Sequence, residues 1–293
     1  MKILIIGAKG MLGQELAKVF QKDKPLLWDR AEIDIADELK VRGIIGDLKP
    51  DLVINAAAYN DVDGAEKNEA LARQINGEAV GYLAKALRVN KGILVHYSTD
   101  YVFKGDKKQG YKELYKPNPQ SAYARSKYLG EQELQTNTDR FYLIRLSRLF
   151  GRPAASQAGK KSFADLMLEL AETKKEINAI NEELSSPTYA PDLAKRTKEI
   201  IDWKKPFGIY HAANSGACTW YDFAQEIFTI KQINVKLNPV PASFFPRPAA
   251  RPKYSILLNT KLPAMRSWQE ALREFIMHNA RPPFASRSRS GRV

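Results

Sequence analysis

Five short, nearly unbroken apolar runs mark the first half of the chain: KILIIGA (2–8), LLWD (26–29), DLVINAAA (51–58), GILVHYSTD (92–100) and FYLIRLSRLFG (141–151). A strand with one wet face alternates apolar and polar residues. Runs apolar on both faces belong to parallel strands covered from either side. Between them, segments such as MLGQELAKVFQ (11–21) and NEALARQINGEAVGYLAKALRVN (68–90) read as helices. The repeated strand-helix-strand order predicts the α/β class, a doubly wound parallel sheet.

Past Gly151 the pattern loosens. Residues 160–176, 186–203 and 219–230 read as helices and 208–213 as a strand. The run NPVPASFFPRPAARPKYS (238–255) holds too many prolines for a regular helix or a central strand, and predicts a loop crossing a surface. There is no internal repeat.

The first run ends in a turn with chemical meaning. Gly7, Gly10 and Gly13 form G-x-x-G-x-x-G directly after a strand and at the opening of a helix. The first glycine permits the tight turn, the second lets backbone approach a pyrophosphate, and the third lets helix and strand pack closely. Met11 and Leu12, at the start of that helix, belong to the same phosphate-facing segment, whose N–H groups and dipole favour an anion. The expected ligand is a nicotinamide dinucleotide. Nineteen residues beyond Gly10, Asp29 stands where an acid would accept from the ribose hydroxyls of NAD, but Arg30 follows it and would favour the extra phosphate of NADP. The two residues pull in opposite directions. Ala56, Ala57, Ala58 and Tyr59 end the third run; small residues there let backbone lie against a cofactor, although alanines in a packed strand need no such reason. The resulting organisation is a Rossmann-type NAD(P)-binding domain over 1–151, a smaller and mainly substrate-binding lobe over 152–279, and a tail over 280–293.

Composition narrows the classes. The chain has 46 Lys and Arg against 33 Asp and Glu, a net charge of +13. Four of the arginines (281, 287, 289 and 292) lie in the acid-free tail RPPFASRSRSGRV, which reads as disordered or as an added remnant; without them +9 remains, spread along the body. With no block of consecutive basic residues and no zinc-finger spacing, nucleic acid is not the expected partner. A lone cysteine, Cys218, excludes an internal disulfide and points to a reducing cytoplasm. The apolar start is too short to span a membrane and lacks a cleavage-site pattern, so it reads as a strand and no membrane is expected.

The fourth run ends in Thr99, and 24 residues later comes Tyr123, then Lys127 one helical turn on. Four-residue spacing alone describes any exposed helix pair. Beside a nucleotide fold the three side chains make a catalytic set. Hydride delivered to a ketone leaves an alkoxide that needs a proton. A phenol, with a reference pKa of ~10, is a sluggish donor until a neighbouring cation favours phenolate. Lys127 is expected to supply that cation and to hold the nicotinamide ribose, while Thr99 orients the carbonyl.

The motifs GAKGMLGQEL, NAAAYNDVDGAE, STDYVF, YARSK, SSPTYAPDLA, GIYHAANSGACTWYDFA and PRPAARPKYS, in this order from Lys2 to about His278, resemble the dTDP-4-dehydrorhamnose reductases, extended short-chain dehydrogenases/reductases. The resemblance implies reduction of the 4-keto group of a dTDP-linked 6-deoxyhexulose by NADPH or NADH, with Thr99, Tyr123 and Lys127 as the catalytic residues. It places Asp34 and Ile35 near adenine, and Val62 and Tyr101 at the sugar pocket. Arg251, with Arg247 and Lys253 nearby, suits a diphosphate, although a solvated basic loop is also in keeping with it. Asp63 and Glu66 just after Val62 can equally be read as a capping box, and Trp220 and Tyr221 as helix core. One departure stands out: the family often has tryptophan where this chain has Arg148, so either the arginine replaces stacking with a phosphate or hydroxyl contact to the substrate, or the preferred sugar differs. Some members bind magnesium at a dimer contact; no ligand cluster here predicts it, and a homodimer stays open. The other readings are a non-catalytic protein like the regulatory subunit of methionine adenosyltransferase, an epimerase, or a dehydratase using Asp100 as its acid/base carboxylate.

Overall fold

The computed structural model describes residues 1–155 and 162–278; the tail expected over 280–293 lies outside them. The first half contains β1 (Ile3–Ile6), α1 (Met11–Val19), β2 (Leu26–Trp28), α2 (Glu38–Leu48), β3 (Leu52–Asn55), α3 (Val62–Lys67), α4 (Glu69–Arg73), α5 (Ala79–Val89), β4 (Ile93–Thr99), α6 (Ala122–Asn137) and β5 (Phe141–Leu146). The second half adds β6 (Leu149–Phe150), α7 (Phe163–Thr173), β7 (Glu176–Ile180), β8 (Leu184–Ser185), β9 (Thr188–Tyr189), α8 (Ala190–Asp202), β10 (Gly208–His211), α9 (Trp220–Lys231), β11 (Lys236–Val240), β12 (Tyr254–Ser255) and α10 (Trp268–His278).

Six strands form one parallel sheet in the order β10-β5-β4-β3-β1-β2. Every residue of β1 and β3 is buried, which is why the apolar runs are unbroken. Ile3 and Ile5 face one way, onto Leu12 and Leu16 of α1 and Leu193 of α8. Leu4 and Ile6 face the other, onto Val41 of α2 and Leu83 of α5. The sheet is therefore doubly wound, and β10 returns the second half of the chain to it. The order reverses between β1 and β3, so the loops leaving their carboxyl ends diverge and open a crevice. A third core, with Phe223, Phe228 and Phe275 from α9 and α10, stands apart from the sheet. No helix among the described residues is long and apolar enough to cross a membrane.

Several expected elements change at their ends. The run 141–151 breaks at Arg148, whose φ of 42° turns the chain out of β5 before β6 pairs with β9. The helix expected over 186–203 begins at Ala190 with Pro191 in its first turn, since 188–189 is taken by β9. The helix over 68–90 has a wide turn at Gln74–Glu78. Part of the proline-rich loop is a strand after all: β11 runs parallel to β7 and contains Pro239. It belongs to a two-stranded sheet, so its other edge needs no N–H donor there.

Beneath the strand ends lies a buried ion pair. Arg145 of β5 places Nε 2.9 Å and Nη2 2.6 Å from the two carboxylate oxygens of Glu131 on α6, and Nη1 3.1 Å from the Glu113 carbonyl. Both side chains are almost fully buried. Removing one partner strands the other charge in apolar surroundings, at a cost of about 3–5 kcal/mol. Glu131→Leu is expected to lose stability on that scale in urea unfolding, and Glu131→Leu combined with Arg145→Met to recover most of it.

Candidate active site

Gly7 leaves β1 with φ 79°, and a Cβ there would lie 2.8 Å from the Ala57 amide nitrogen. The ends of β1 and β3 thus touch backbone to backbone, with no room for a side chain between them. At Gly13 a Cβ would fall 2.0 Å from the Gly7 carbonyl oxygen, so α1 packs directly on the turn. Gly10 occupies the N-cap without a side-chain bond, and its N–H donates to the Gly7 carbonyl at 3.0 Å. Leu12 is buried against the sheet, and Met11 lies near Gly151. This is a cradle of the shape a pyrophosphate needs.

Beyond β2, the Asp29 carboxylate accepts from the Lys9 N–H at 3.0 Å and so braces the glycine turn. Arg30 has a side chain 84% exposed and reaches Asp34 at only 3.4 Å. Asp34 accepts from the Ala36 N–H. Ile35 turns its side chain into the core below α2. Ala56, Ala57 and Ala58 leave β3 together, and Tyr59 is fixed by Asn76, which accepts from its N–H at 2.8 Å and donates to its carbonyl at 2.9 Å.

Thr99 ends β4, while Tyr123 and Lys127 sit in the first turns of α6, capped by Ser121. Tyr123 comes to Thr99, while Lys127 reaches the same strand two residues earlier, at Tyr97. The Tyr123 phenol lies beside the Thr99 hydroxyl, which favours the phenolate. Thr99 in turn donates to Asp100 at 3.1 Å, and the Tyr101 ring meets Tyr123 edge-on at 6.1 Å. Lys127 is 3% exposed, and its Nζ donates to the Tyr97 carbonyl at 2.6 Å.

The electrostatics correct one expectation. Burial, reinforced by the Asp100 carboxylate, pushes the Tyr123 phenol above its ordinary value. Lys127 does not depress it, because its amine is directed inward to the Tyr97 carbonyl. Burial lowers Lys127 itself to about 8, opposed by Glu131. The phenol is thus protonated at neutral pH. Asp100 is 2% exposed, is raised by burial, and is enclosed by the Thr99, Ser147 and Ser255 hydroxyls. A carboxylate so enclosed is not presented to a ligand as an acid or base.

The wall opposite Tyr101 is built from charges that satisfy one another. Arg148 donates to the Cys218 carbonyl at 3.0 Å and the Glu183 carbonyl at 2.6 Å, and its guanidinium lies 3.9 Å over the Trp220 ring. Trp220 donates to the Glu183 carboxylate, which also pairs with Arg247. Trp220 is therefore part of this wall and not simply helix core, whereas Tyr221 packs on the third core. Arg251 forks onto both oxygens of Asp63, at 3.0 and 2.6 Å. The capping box read at Asp63 and Glu66 does not form. Asp63 instead holds Arg251 and the Ala249 N–H, and Glu66 accepts from the Ala122 N–H at the start of α6. Val62 opens α3 beside this pair. Sequence reasoning missed Glu183 as the hub of the wall; an acid in a loop of mixed composition gave no signal. Among the described residues, no group of His, Cys, Asp or Glu could hold a metal ion.

A sequence model of the RmlD substrate binding domain matches residues 1–281. The chain belongs to that family. A relative from Streptomyces antibioticus, "Probable dTDP-4,6-dihydroxy-2-methyloxan-3-one 4-ketoreductase", is 37% identical over 94% of this chain and 94% of its own length. A solved dTDP-4-dehydrorhamnose reductase from Clostridium acetobutylicum superposes with a TM-score of 0.90 at 37% identity, covering 95% of this chain and 99% of that one. Another, from Bacillus anthracis in complex with NADP, gives 0.88 at 34%, covering 95% and 100%.

The Asp63–Arg251 pair ties the proline-rich loop to the first half of the chain. The guanidinium lowers the Asp63 carboxyl below its ordinary value of 3.8, so its contribution to stability is present above that value and is lost as pH falls through the lower, folded one. Limited proteolysis is expected to begin cutting 241–253 below about pH 4 in the wild type. Asp63→Asn should already be cut there at pH 7.

Proposed function

We propose that this protein reduces the 4-keto group of dTDP-4-dehydrorhamnose (dTDP-4-dehydro-6-deoxy-L-mannose) with NADPH or NADH, giving dTDP-L-rhamnose. This reading is supported by the Tyr123 phenol beside the Thr99 hydroxyl at the end of β4, with Lys127 buried against the Tyr97 carbonyl of the same strand and the close backbone turn at Gly7–Gly13 at the reversal of the sheet. Bound nicotinamide would supply the hydride to C4 of the sugar. Tyr123, protonated at neutral pH, gives its proton to the alkoxide oxygen. The Thr99 hydroxyl holds the ketone oxygen in line with that phenol. Lys127 holds the nicotinamide ribose, and the Gly7–Gly13 turn holds the pyrophosphate. Tyr101 and Val62 border the sugar. Arg148, Arg247 and Arg251 exceed Asp63 and Glu183 in charge, which gives the wall a net positive character suited to a nucleotide diphosphate.

NADPH is favoured over NADH. Asp29 is engaged by the glycine turn, Arg30 is exposed and held only at 3.4 Å by Asp34, from which a 2′-phosphate could draw it, and the Bacillus anthracis relative was solved with NADP. The enclosure of Asp100 disfavours dehydratase chemistry, and the complete catalytic set disfavours a purely regulatory role. A second sugar is supported by Arg148 and by the Streptomyces antibioticus relative, whose name is that of a different dTDP-ketose reductase.

Purified protein is expected to oxidise NADPH on addition of dTDP-4-dehydrorhamnose. Tyr123→Phe should lower kcat by roughly 10²–10⁴-fold while leaving NADPH affinity within about twofold. Arg30→Ala should raise KM for NADPH by about tenfold and leave KM for NADH unchanged, as expected when one charge-assisted contact to a phosphate is lost.

A further inference from the structure

Asn55 of β3 and His96 of β4 are direct register partners, each 1% exposed, and neither has a role in the chemistry above. A buried amide beside a buried imidazole must satisfy its polar atoms locally. Asn55 Oδ1 accepts from the Ala57 N–H at 3.2 Å, which turns its NH₂ toward His96 Nδ1, 3.4 Å away. An amide NH₂ can only donate, so Nδ1 carries a lone pair. Burial, with the lysine beside it, keeps the ring neutral. A neutral imidazole has one N–H, which must therefore be on Nε2, and Nε2 lies 3.5 Å from Lys127 Nζ.

We propose that Asn55 and His96 are positioning residues for Lys127: Asn55 fixes the Nε2–H tautomer, and that N–H, facing Nζ, favours the neutral amine and, with one amine hydrogen on the Tyr97 carbonyl, directs the other toward the ribose side. The kinetic consequence rests on the reductase reading; the tautomer does not. Glu131, one turn along α6, opposes the effect, and its charge is shared with Arg145 of β5. Tyr123 lies one turn the other way, and Asp100 and Tyr101 bear on that phenol. On the helices packed behind α6, Glu69 is paired with Arg125 and Glu78 with Arg73; on α3, Glu66 serves the Ala122 N–H and Asp63 is taken by Arg251. Burial lowers Lys127 to about 8 against the pull of Glu131, and the Nε2–H acts in the same direction as burial. Above that pH the amine loses the charge with which it grips the ribose hydroxyls, so the alkaline limb of kcat/KM for ketone reduction belongs to Lys127.

The chain has three histidines, so each ring can be followed in ¹⁵N-labelled full-length protein by long-range ¹H–¹⁵N correlation. The wild type is expected to show His96 as Nε2–H from pH 6 to pH 9. Asn55→Asp is nearly isosteric; its carboxylate accepts from both Ala57 N–H and a His96 Nδ1–H, so the tautomer should reverse. With NADPH and dTDP-4-dehydrorhamnose, the alkaline limb should then move up by about one pH unit with KM for the sugar unchanged. His96→Phe, which keeps a ring and adds no charge, should move the limb the same way and serves if Asn55→Asp does not fold. An Nδ1–H tautomer in the wild type overturns the proposal. So does a limb that stays in place in His96→Phe while kcat merely falls. An Nε2–H ring in a protein with no ketoreductase turnover upholds the Asn55–His96 arrangement and rejects the reductase reading instead.

Discussion

Helix α6 is held at its place on the sheet by three unlike contacts. The Lys127 amine is bonded to the Tyr97 carbonyl of β4, Glu131 is paired with Arg145 of β5, and Gly130 lies so close to the turn at Gln74–Glu78 that a Cβ would come within 2.1 Å of the Asn76 carbonyl oxygen. Two of these contacts are charged and buried, so a shift of the helix would break hydrogen bonds that water cannot replace. The third is a steric stop. Together they set Tyr123 over Thr99, and the rest of the site depends on that placement.

Much of this was legible in the chain itself. Unbroken apolar runs announced a parallel sheet, and the glycine spacing after the first of them located a turn with no room for side chains. Thr99, Tyr123 and Lys127 could be grouped because strand ends and helix periodicity are local properties. What stayed hidden depends on contacts distant in sequence. The fork from Arg251 onto Asp63 spans 188 residues, so the acid looked like a helix cap. The direction of the Lys127 amine could not be foreseen either, since spacing places a side chain on a face without saying which acceptor it finds. There were signals: His96 in an apolar run and Arg145 in FYLIRL are polar residues where a core strand should have none. Each is a buried residue with a named partner.

Arg148 shows how a departure from the family pattern can be absorbed. The guanidinium lies on Trp220 and donates to two carbonyls. An aromatic surface therefore remains in that wall, supplied from α9, with a planar cation on top of it. Stacking on indole and hydrogen bonding in the guanidinium plane use different faces of the same group, so the two are compatible. A sugar resting there would meet a charged plane where the family often presents an indole, which bears on which hydroxyl pattern is preferred more than on whether the ketone is reduced.

In the proposed reaction a hydride goes to C4 of the bound sugar while Tyr123 supplies the proton. The most direct measurement gives the enzyme NADPH deuterated at C4 of the nicotinamide, on the transferred face, together with dTDP-4-dehydrorhamnose, and follows the product by NMR. One deuterium at C4 of the sugar is expected for each cofactor consumed. Product without deuterium, or sugar rearranged with no cofactor consumed, would contradict it.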